Sequence, residues 1–256
     1  MHLALRDYDA AAHTSVLVAK QEQEMGNYKI AHAQLFETHK ELTAEGKRPP
    51  AELTRQLSLL HSYVLVKCLV RRKDHEGAAR LLARVSRNIS KFPAHVVPIL
   101  TSTVIECVRA GMKRTALEFA QKLIGSPELR SQIAEAYRRK IESVVRKPDK
   151  SEAEEETSAC PHCAARGPET EMTCDACKAD IPMCVASGKR VRLEEWATCP
   201  SCRWPCNASA FRLTVESEGG SCPMCNKAVN LAKVTVLEDP LGKKRAGGYA
   251  EGDEEA

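Results

Sequence analysis

Eight cysteines in four Cys-x-x-Cys pairs constrain the fold of this chain more than any other feature. Residues 160–225 contain ten of the twelve cysteines in the 256-residue sequence. The four pairs are Cys160/Cys163, Cys174/Cys177, Cys199/Cys202 and Cys222/Cys225. A Cys-x-x-Cys turn directs two sulfurs at one tetrahedral centre, and two such turns complete a closed zinc site. The spacing therefore predicts two structural Zn²⁺ ions bound by these eight thiolates.

Two other interpretations of the cysteines are less favoured. A disulfide framework requires an oxidising compartment, and the sequence shows no secretory signal. A catalytic zinc needs an open coordination position for water, which four thiolates do not leave. The cysteine pattern therefore indicates structural metal in a reducing compartment.

The sequence leaves open which pairs share an ion. Sequential pairing joins the first pair with the second and the third with the fourth. Cross-braced pairing, as in RING domains, joins the first with the third and the second with the fourth. RING domains place their second and third pairs close together, whereas twenty-one residues separate Cys177 from Cys199 here. This spacing favours sequential pairing.

Four further cysteines and one histidine need an interpretation. Cys184 and Cys206 lie between the pairs, and each is either an alternative ligand or a small packed side chain, with packing preferred. His162 lies inside the first pair, and we expect its ring to point outward. Cys68 and Cys107 lie on apolar faces of the first half and are expected in its core.

The charge of the chain is unevenly distributed. Residues 151–256 contain 12 Lys and Arg against 18 Asp and Glu, a net charge of −6, whereas residues 1–150 carry +10. Four thiolates on one Zn²⁺ add a charge of about −2 per site. Because nucleic-acid binding requires a basic face, the acidic cysteine-rich half argues against a nucleic-acid-binding zinc ribbon, and we expect no nucleic-acid partner.

Residues 1–147 show the apolar periodicity of consecutive amphipathic helices. A final helix is expected after the Ser126 N-cap, with one apolar face that carries Leu129, Ile133, Tyr137, Ile141 and Val144. A tight turn followed by a small and then a large residue recurs, at Gly26, Ala31 and Leu35 and again at Asp74, Ala78 and Leu82. This pattern is similar to the tetratricopeptide signature, so a mainly α fold with a tetratricopeptide-like α-solenoid is predicted, a plain helical bundle being the alternative.

The second half is predicted to contain three parts. Residues 148–159 form an acidic linker, too polar and like-charged to pack. Residues 160–237 form a small β-rich zinc-ribbon module with two Cys₄ sites. Residues 238–256 form a disordered tail.

Three strand-type elements are expected inside the module. Residues 211–215 alternate between apolar and polar, as in a half-buried strand. Residues 181–196 are interpreted as a hairpin that turns near Ser187 and Gly188. Residues 234–237 are interpreted as a closing strand.

The sequence contains no recognisable enzyme motif. There is no Gly-rich phosphate loop ending in Gly-Lys-Ser/Thr, no Gly-x-Ser-x-Gly and no His-Glu-x-x-His. No apolar run reaches the roughly 20 residues needed to span a membrane. We therefore expect a non-enzymatic protein-binding chain, with no catalytic or cofactor-binding residues and no direct membrane insertion.

Three segments of the sequence resemble one known family. They are residues 90–107, which contain Phe92-Pro93-Ala94-His95, residues 181–188, and Cys222-Pro223-Met224-Cys225. The chain resembles the intraflagellar transport protein 144 family, also called the WD-repeat-containing protein 19 family, from about Tyr28 to Val236. These strings are more specific than Cys-x-x-Cys spacing alone.

The resemblance implies a subunit of intraflagellar transport complex A. Members of this family begin with WD40 propellers, continue as a tetratricopeptide-like solenoid and end in zinc-binding modules. Because no propeller is present here, the resemblance implies the C-terminal part of a longer protein. It also implies retrograde transport and import of membrane proteins, at the cilium or flagellum, basal body and cytoplasm. The implied partners are other subunits of the complex, such as intraflagellar transport proteins 140, 122 and 121.

The resemblance assigns the zinc ligands to the four cysteine pairs. Two alternative functions remain at this point: a RING-like ubiquitin ligase on a helical stalk, and a nucleic-acid-binding zinc ribbon.

Overall fold

The computed structural model describes residues 7–241, so residues 1–6 and most of the predicted tail lie outside the described range. Helices make up most of residues 7–147. Their bounds are α1 Tyr8–Glu24, α2 Tyr28–Ala44, α3 Ala51–Arg71, α4 His75–Arg87, α5 Val96–Arg109, α6 Lys113–Gly125, α7 Pro127–Ser131 and α8 Glu135–Arg146. None of the helices in this range is long and apolar enough to cross a membrane.

Consecutive helices pack against each other along this half. Each of α1 to α5 contacts the next helix, and α6 packs against α8. The mainly helical fold is thereby confirmed, while the tetratricopeptide-like solenoid stays a prediction. Asp74 caps α4 by accepting a 2.8 Å hydrogen bond from the backbone N–H of Gly77.

The final helix is divided in two, contrary to the single helix expected. Ser126 caps α7 as predicted, accepting a hydrogen bond from the Leu129 N–H at 3.4 Å. The chain then leaves the helical conformation before α8 begins. The break allows Ile133 and Ile141 to be buried in one cluster with α5 and α6, while Tyr137 between them is 46% exposed.

The expectation that residues 148–159 do not pack is wrong. The carboxylate of Glu152 accepts hydrogen bonds from the N–H and the hydroxyl of Thr115, at 2.9 and 2.8 Å. The guanidinium of Arg80 donates to the Glu154 carbonyl at 2.8 Å. These acidic residues pack because basic and polar groups of α4 and α6 face them, which the local composition does not reveal.

Strands are short in the cysteine-rich segment, residues 157–237. Strand β1, Thr157–Ala159, pairs antiparallel with β2, Arg166–Pro168, and β3, Trp196–Thr198, pairs antiparallel with β4, Pro205–Asn207. Most of the segment consists of turns, with a ninth helix, α9, at Ala208–Ser217. The segment contains small sheets but is not rich in strand.

The predicted strand at residues 211–215 lies within helix α9 and is a wrong prediction. Phe211 and Val215, four residues apart, are buried on one side of the helix, whereas Leu213 is 55% exposed. A period of two and a helical period both place positions i and i+4 together, so the alternation was ambiguous.

The predicted closing strand at residues 234–237 is also wrong. These residues follow a 3₁₀ turn, Leu231–Lys233, and belong to no strand. A 2.7 Å hydrogen bond from the Leu237 N–H to the Trp196 carbonyl holds them against the segment.

Candidate metal centres

The structure brings the eight paired cysteines together in two clusters of four. Their sulfurs lie within 4.8 Å of one another in each cluster, and the grouping is sequential. The first cluster contains Cys160, Cys163, Cys174 and Cys177, and the second contains Cys199, Cys202, Cys222 and Cys225. The sequential arrangement favoured by the spacing is therefore the one the fold forms.

The sulfur separations in the first cluster match a tetrahedral zinc site. The Cys163 and Cys174 sulfurs are 3.7 Å apart, and the Cys160 and Cys177 sulfurs are 3.9 Å apart. Four ligands on a tetrahedron with Zn–S bonds of about 2.3 Å lie about 3.8 Å from each other. A closed set of four thiolates suits zinc or an iron–sulfur centre by ligand chemistry. Their assignment as zinc ligands stays a prediction.

All four Cys-x-x-Cys turns share one backbone geometry. The carbonyl of the first cysteine accepts a hydrogen bond from the N–H of the residue four positions later. The N–H of the same cysteine donates to the carbonyl of the residue five positions later. The residue four positions later has a positive φ of 55–61° and is Ala164, Lys178, Arg203 and Asn226 in the four turns. Such φ values are uncommon outside glycine. Their repetition indicates that each turn is shaped to direct two sulfurs at one point.

Backbone N–H groups donate to some of the cysteine sulfurs. The N–H of His162 lies 3.4 Å from the Cys160 sulfur. A hydrogen bond from the Cys177 backbone is the largest cause that lowers the pKa of Cys174 to about 6. In the same cluster a hydrogen bond from the Ala165 backbone lowers the pKa of Cys163, but desolvation and the neighbouring thiols raise this pKa to about 11. Metals bind the thiolate, so metal binding must displace a proton from that sulfur.

The two clusters differ in exposure to solvent. The first cysteine of every pair is buried in both clusters. The second cysteines are exposed in the first cluster, at Cys163 and Cys177, but partly buried in the second, at Cys202 and Cys225. The ring of His162 is exposed, as expected, and is not grouped with the sulfurs. The first centre is therefore the more accessible to a chelator.

Cys184 begins a fifth turn of the same geometry, residues 184–188. The hairpin predicted for residues 181–196 turns at Ser187 and Gly188 as expected, but it is reduced to one antiparallel bridge between Met183 and Arg190. Its carbonyl accepts the Gly188 N–H at 2.8 Å, and its N–H donates to the Lys189 carbonyl at 2.7 Å. Gly188 takes the positive φ, at 67°. Ser187 occupies the position of the second cysteine, so this fifth turn offers only one sulfur.

Cys184 and Cys206 are packed residues, as preferred from the sequence. Both are buried, and neither belongs to a metal-type cluster in residues 7–241. The Cys184 sulfur accepts N–H groups of Ala186 and Asn207 at 3.4 and 3.3 Å. In the helical half Cys107 is buried as expected, while Cys68 is only partly covered.

Curated animal proteins are similar to this chain over most of its length. WD repeat-containing protein 19 is 46% identical in Mus musculus and 45% identical in Homo sapiens, each over 93% of this chain. WD repeat-containing protein dyf-2 from Caenorhabditis elegans is 42% identical over 84% of the chain. No protein-family model matches the sequence.

The chain is a homologue of WD repeat-containing protein 19. The family resemblance found in the sequence is thereby confirmed. The chain spans 18% of the length of the mouse and human proteins and 16% of the worm protein. It therefore corresponds to a small part of each relative.

In this homologue of WD repeat-containing protein 19, the cysteine-rich segment lies along the side of the helices. His61 donates from Nε2 to the Val185 carbonyl at 2.8 Å. The guanidinium of Arg84 donates to the Thr170 carbonyl at 2.9 Å and to the Gly188 carbonyl at 2.8 Å. These bonds join α3 and α4 to the fifth turn and to residues beside the first cluster.

The two halves also share one apolar core. A single cluster of buried residues contains Leu35, Leu57 and Phe92 from the helical half together with Trp196, Trp204 and Phe211 from the cysteine-rich segment. This segment is therefore integrated into the fold along α2 to α4, not attached only at the end of a rod.

A pair of buried histidines lies at the junction between the halves. His32 Nε2 is 3.2 Å from His61 Nδ1, and His61 in turn contacts Val185. Burial is the main cause that lowers the pKa of His32 to about 3 and that of His61 to about 4. Both rings are therefore neutral at pH 7, which allows His32 to donate to His61 and His61 to donate to the carbonyl.

Neither junction residue, His61 or Arg84, was among the functional residues expected from the sequence. Arg84 lies within the apolar stripe of α4, between Leu81 and Val85. A charged residue in an apolar stripe is a feature of the sequence that could have identified it. A buried arginine requires acceptors, and these acceptors lie in the other half of the chain.

Proposed function

We propose that this chain is a non-enzymatic scaffold part of intraflagellar transport complex A. It acts in retrograde ciliary transport and in ciliary import of membrane proteins through protein–protein contacts. Its partners are other subunits of that complex, such as intraflagellar transport proteins 140, 122 and 121. Its location is the cilium or flagellum, the basal body and the cytoplasm.

The observation that carries this proposal is the homology to WD repeat-containing protein 19 over 93% of the chain. The organisation of the described residues supports it further. Consecutive helices pack against one another, and within residues 7–241 each cysteine cluster consists of four sulfurs with no fifth protein ligand. A closed Cys₄ site suits a structural ion and leaves no position for substrate.

We also propose that the two clusters hold structural Zn²⁺. The cysteine-rich segment has few regular elements, and each strand is three residues long. Its backbone hydrogen bonds lie mostly in short turns around the cysteines, so metal binding supplies much of its folding free energy. The eight paired cysteines are the ligands in this proposal.

The alternative functions have less support. A RING-like ubiquitin ligase is normally cross-braced, whereas the sulfurs here group sequentially. A nucleic-acid-binding ribbon would need a basic surface, whereas residues 151–256 carry a net charge of −6. Autoubiquitination with a panel of conjugating enzymes, and salt-dependent binding to RNA or DNA, test these two alternatives, and we expect neither activity.

The zinc proposal is tested by metal analysis of the chain purified without chelator. We expect two zinc ions per chain and an anomalous zinc-edge peak inside each cluster. The paired change Cys199→Ser and Cys222→Ser should remove one ion. The matched change Cys184→Ser and Cys206→Ser alters two equally buried cysteines and should retain both ions. A zinc content near zero in the unchanged chain would contradict the proposal.

The scaffold proposal is tested in ciliated cells by affinity purification of the tagged chain. We expect complex A subunits to be recovered with the chain. The Cys199→Ser Cys222→Ser variant should recover less of them, while the Cys184→Ser Cys206→Ser variant should recover unchanged amounts. Recovery of none of these subunits by the unchanged chain would count against the role in the complex.

A further inference from the structure

A polar cleft of about 650 Å³ lies where the helical half meets the cysteine-rich segment. Three elements form it: α3, the end of α4 with the following 3₁₀ turn, and residues 170–173. We call it the seam cleft. The side chains that line it include Glu52, Arg55, Gln56, Arg84, Arg87, Lys91 and Glu171. Its volume is within the usual range for small-molecule sites.

The seam cleft carries an excess of positive charge. Four cations line it, against two carboxylates, a surplus of two. The intervals between three of these cations in the sequence explain why they lie close together. Arg84, Arg87 and Lys91 follow one another at intervals of three and four residues, which places them on one side of α4 and its extension.

Three of the four cations keep donors for a ligand. The Lys91 ammonium has no hydrogen-bond or ion-pair partner within residues 7–241. The Arg87 guanidinium is 3.7 Å from Glu171, beyond hydrogen-bond distance. Arg55 uses Nε toward Asp180 at 3.3 Å, which leaves its two terminal nitrogens. The fourth cation, Arg84, is committed to the carbonyls of the segment.

An independent observation comes from Gln56. Its Oε1 is buried and accepts no hydrogen bond in the described structure, while its Nε2 donates to Glu52 at 3.2 Å. A buried acceptor without a donor is costly. Because this oxygen has almost no exposed surface, an N–H or O–H on a ligand reaches it only when the Gln56 side chain rotates toward the cleft.

We propose that the seam cleft binds a phosphate monoester with a neighbouring hydrogen-bond donor. Such a group carries a charge of about −1.5 to −2 at pH 7, so it interacts more strongly than a carboxylate with the three cations that keep donors free. Guanidinium groups at two positions suit its oxygens. Because the cleft touches both halves of the chain, the ligand also strengthens their association. The group comes from a phosphorylated side chain or from a phosphorylated polyol.

The test titrates the zinc-loaded chain with three probes at constant ionic strength: a phosphoserine peptide, inositol monophosphate and inorganic phosphate. Amide NMR shifts of residues 170–173 report on the cleft. We expect saturable shifts with a Kd of about 1 mM or tighter for one of the two esters. The ester that binds more tightly identifies the source. Inorganic phosphate, which carries no ester substituent, should bind about tenfold more weakly.

Charge removal tests whether binding occurs in the cleft itself. The Arg87→Ala Lys91→Ala variant should weaken ester binding by about tenfold or more. The control variant Arg139→Ala Lys140→Ala removes two exposed cations of α8 and should leave the Kd within about twofold. Zinc content and thermal unfolding verify that both variants fold. Equal Kd values in both variants, or no saturation by either ester up to about 10 mM, would overturn the proposal.

Discussion

Arg84 connects the halves of the chain through a small number of bonds. Its guanidinium is buried and donates to the carbonyls of Thr170 and Gly188 and to the Ser62 hydroxyl. Burial lowers the pKa of Arg84 to about 10, so the side chain remains charged at neutral pH. A buried charge of this kind is stable only while its acceptors remain in place.

The first prediction concerns the change Arg84→Met. It leaves two buried carbonyls without a donor, and we expect the free energy of unfolding to fall by about 2–4 kcal/mol. Urea denaturation followed by circular dichroism measures this loss. The matched change Arg139→Met, on the exposed surface of α8, should alter stability by less than about 0.5 kcal/mol. A loss no larger than that of the control would show that Arg84 does not hold the halves together.

The second prediction concerns pH. Since the pKa values of His32 and His61 lie below the unfolded value of about 6.5, the unfolded state binds more protons between about pH 6.5 and pH 4. Their contribution to stability is present above pH 6.5 and is lost as the pH falls through this window. We expect a loss of about 2 kcal/mol per histidine between pH 7.5 and pH 5, measured by urea denaturation.

Acid also releases zinc, so the pH effect needs a variant that separates the causes. In His61→Gln the amide replaces both the donor and the acceptor of the ring but does not titrate. The slope of stability against pH should then decrease by about half. Replacement of the exposed His13 by Gln should leave the slope unchanged. If the slope of stability against pH is unchanged in His61→Gln, the pH dependence comes from the cysteines.

At the scale of elements, the fifth turn is the part of the cysteine-rich segment adapted to the helices. Its backbone repeats the geometry of the four metal turns, but its carbonyls bind His61 and Arg84. Gly188 allows this close approach, since an added Cβ would lie 2.7 Å from a methyl carbon of Leu81. Leu81 is buried and has little freedom to move away.

The third prediction is that Gly188→Ala lowers the free energy of unfolding by about 2–3 kcal/mol while the chain still binds two zinc ions. The loss combines the strain of a positive φ with the clash against Leu81. Thermal denaturation and metal analysis measure the two quantities.

Gly111→Ala is the matched control for this change. Gly111 also has a positive φ, at 75°, but nothing lies within 4 Å of an added Cβ. The Gly111→Ala change should therefore lower the free energy of unfolding only by the backbone strain, about 1 kcal/mol. If the two variants lose the same stability, the contact with Leu81 has no role.

At the scale of the whole molecule, the cysteine-rich segment covers one side of α2 to α4 and shares their core. Removal of metal from the segment should therefore affect these helices more than α5 and α6, which pack against each other and against α8. The local stability therefore differs between helices, and amide hydrogen exchange measures it for each helix separately.

The fourth prediction is that chelation of zinc raises the amide exchange rates of α3 by about tenfold or more, since the segment that covers it unfolds. Amides of α5 and α6 should change by less than about threefold, and most of the helical circular dichroism should remain. The control is the Cys184→Ser Cys206→Ser variant, which keeps the paired cysteines. Its amide exchange rates are measured without chelator. Equal increases in all helices would indicate that metal loss unfolds the chain as one unit.

Local signals in the sequence determined the helical first half, the cap at Ser126 and the sequential grouping of the eight cysteines. Each of these depends on residues close together in the chain, where hydrogen-bond offsets and turn spacing act directly. Only the tertiary structure decided that the cysteine-rich segment lies along α2 to α4, that residues 148–159 pack, and that residues 211–215 are helical. The contacts responsible join residues as far apart as His61 and Val185, 124 positions in sequence. Periodicity and composition describe one segment at a time, so they do not reveal which distant surface a segment will cover.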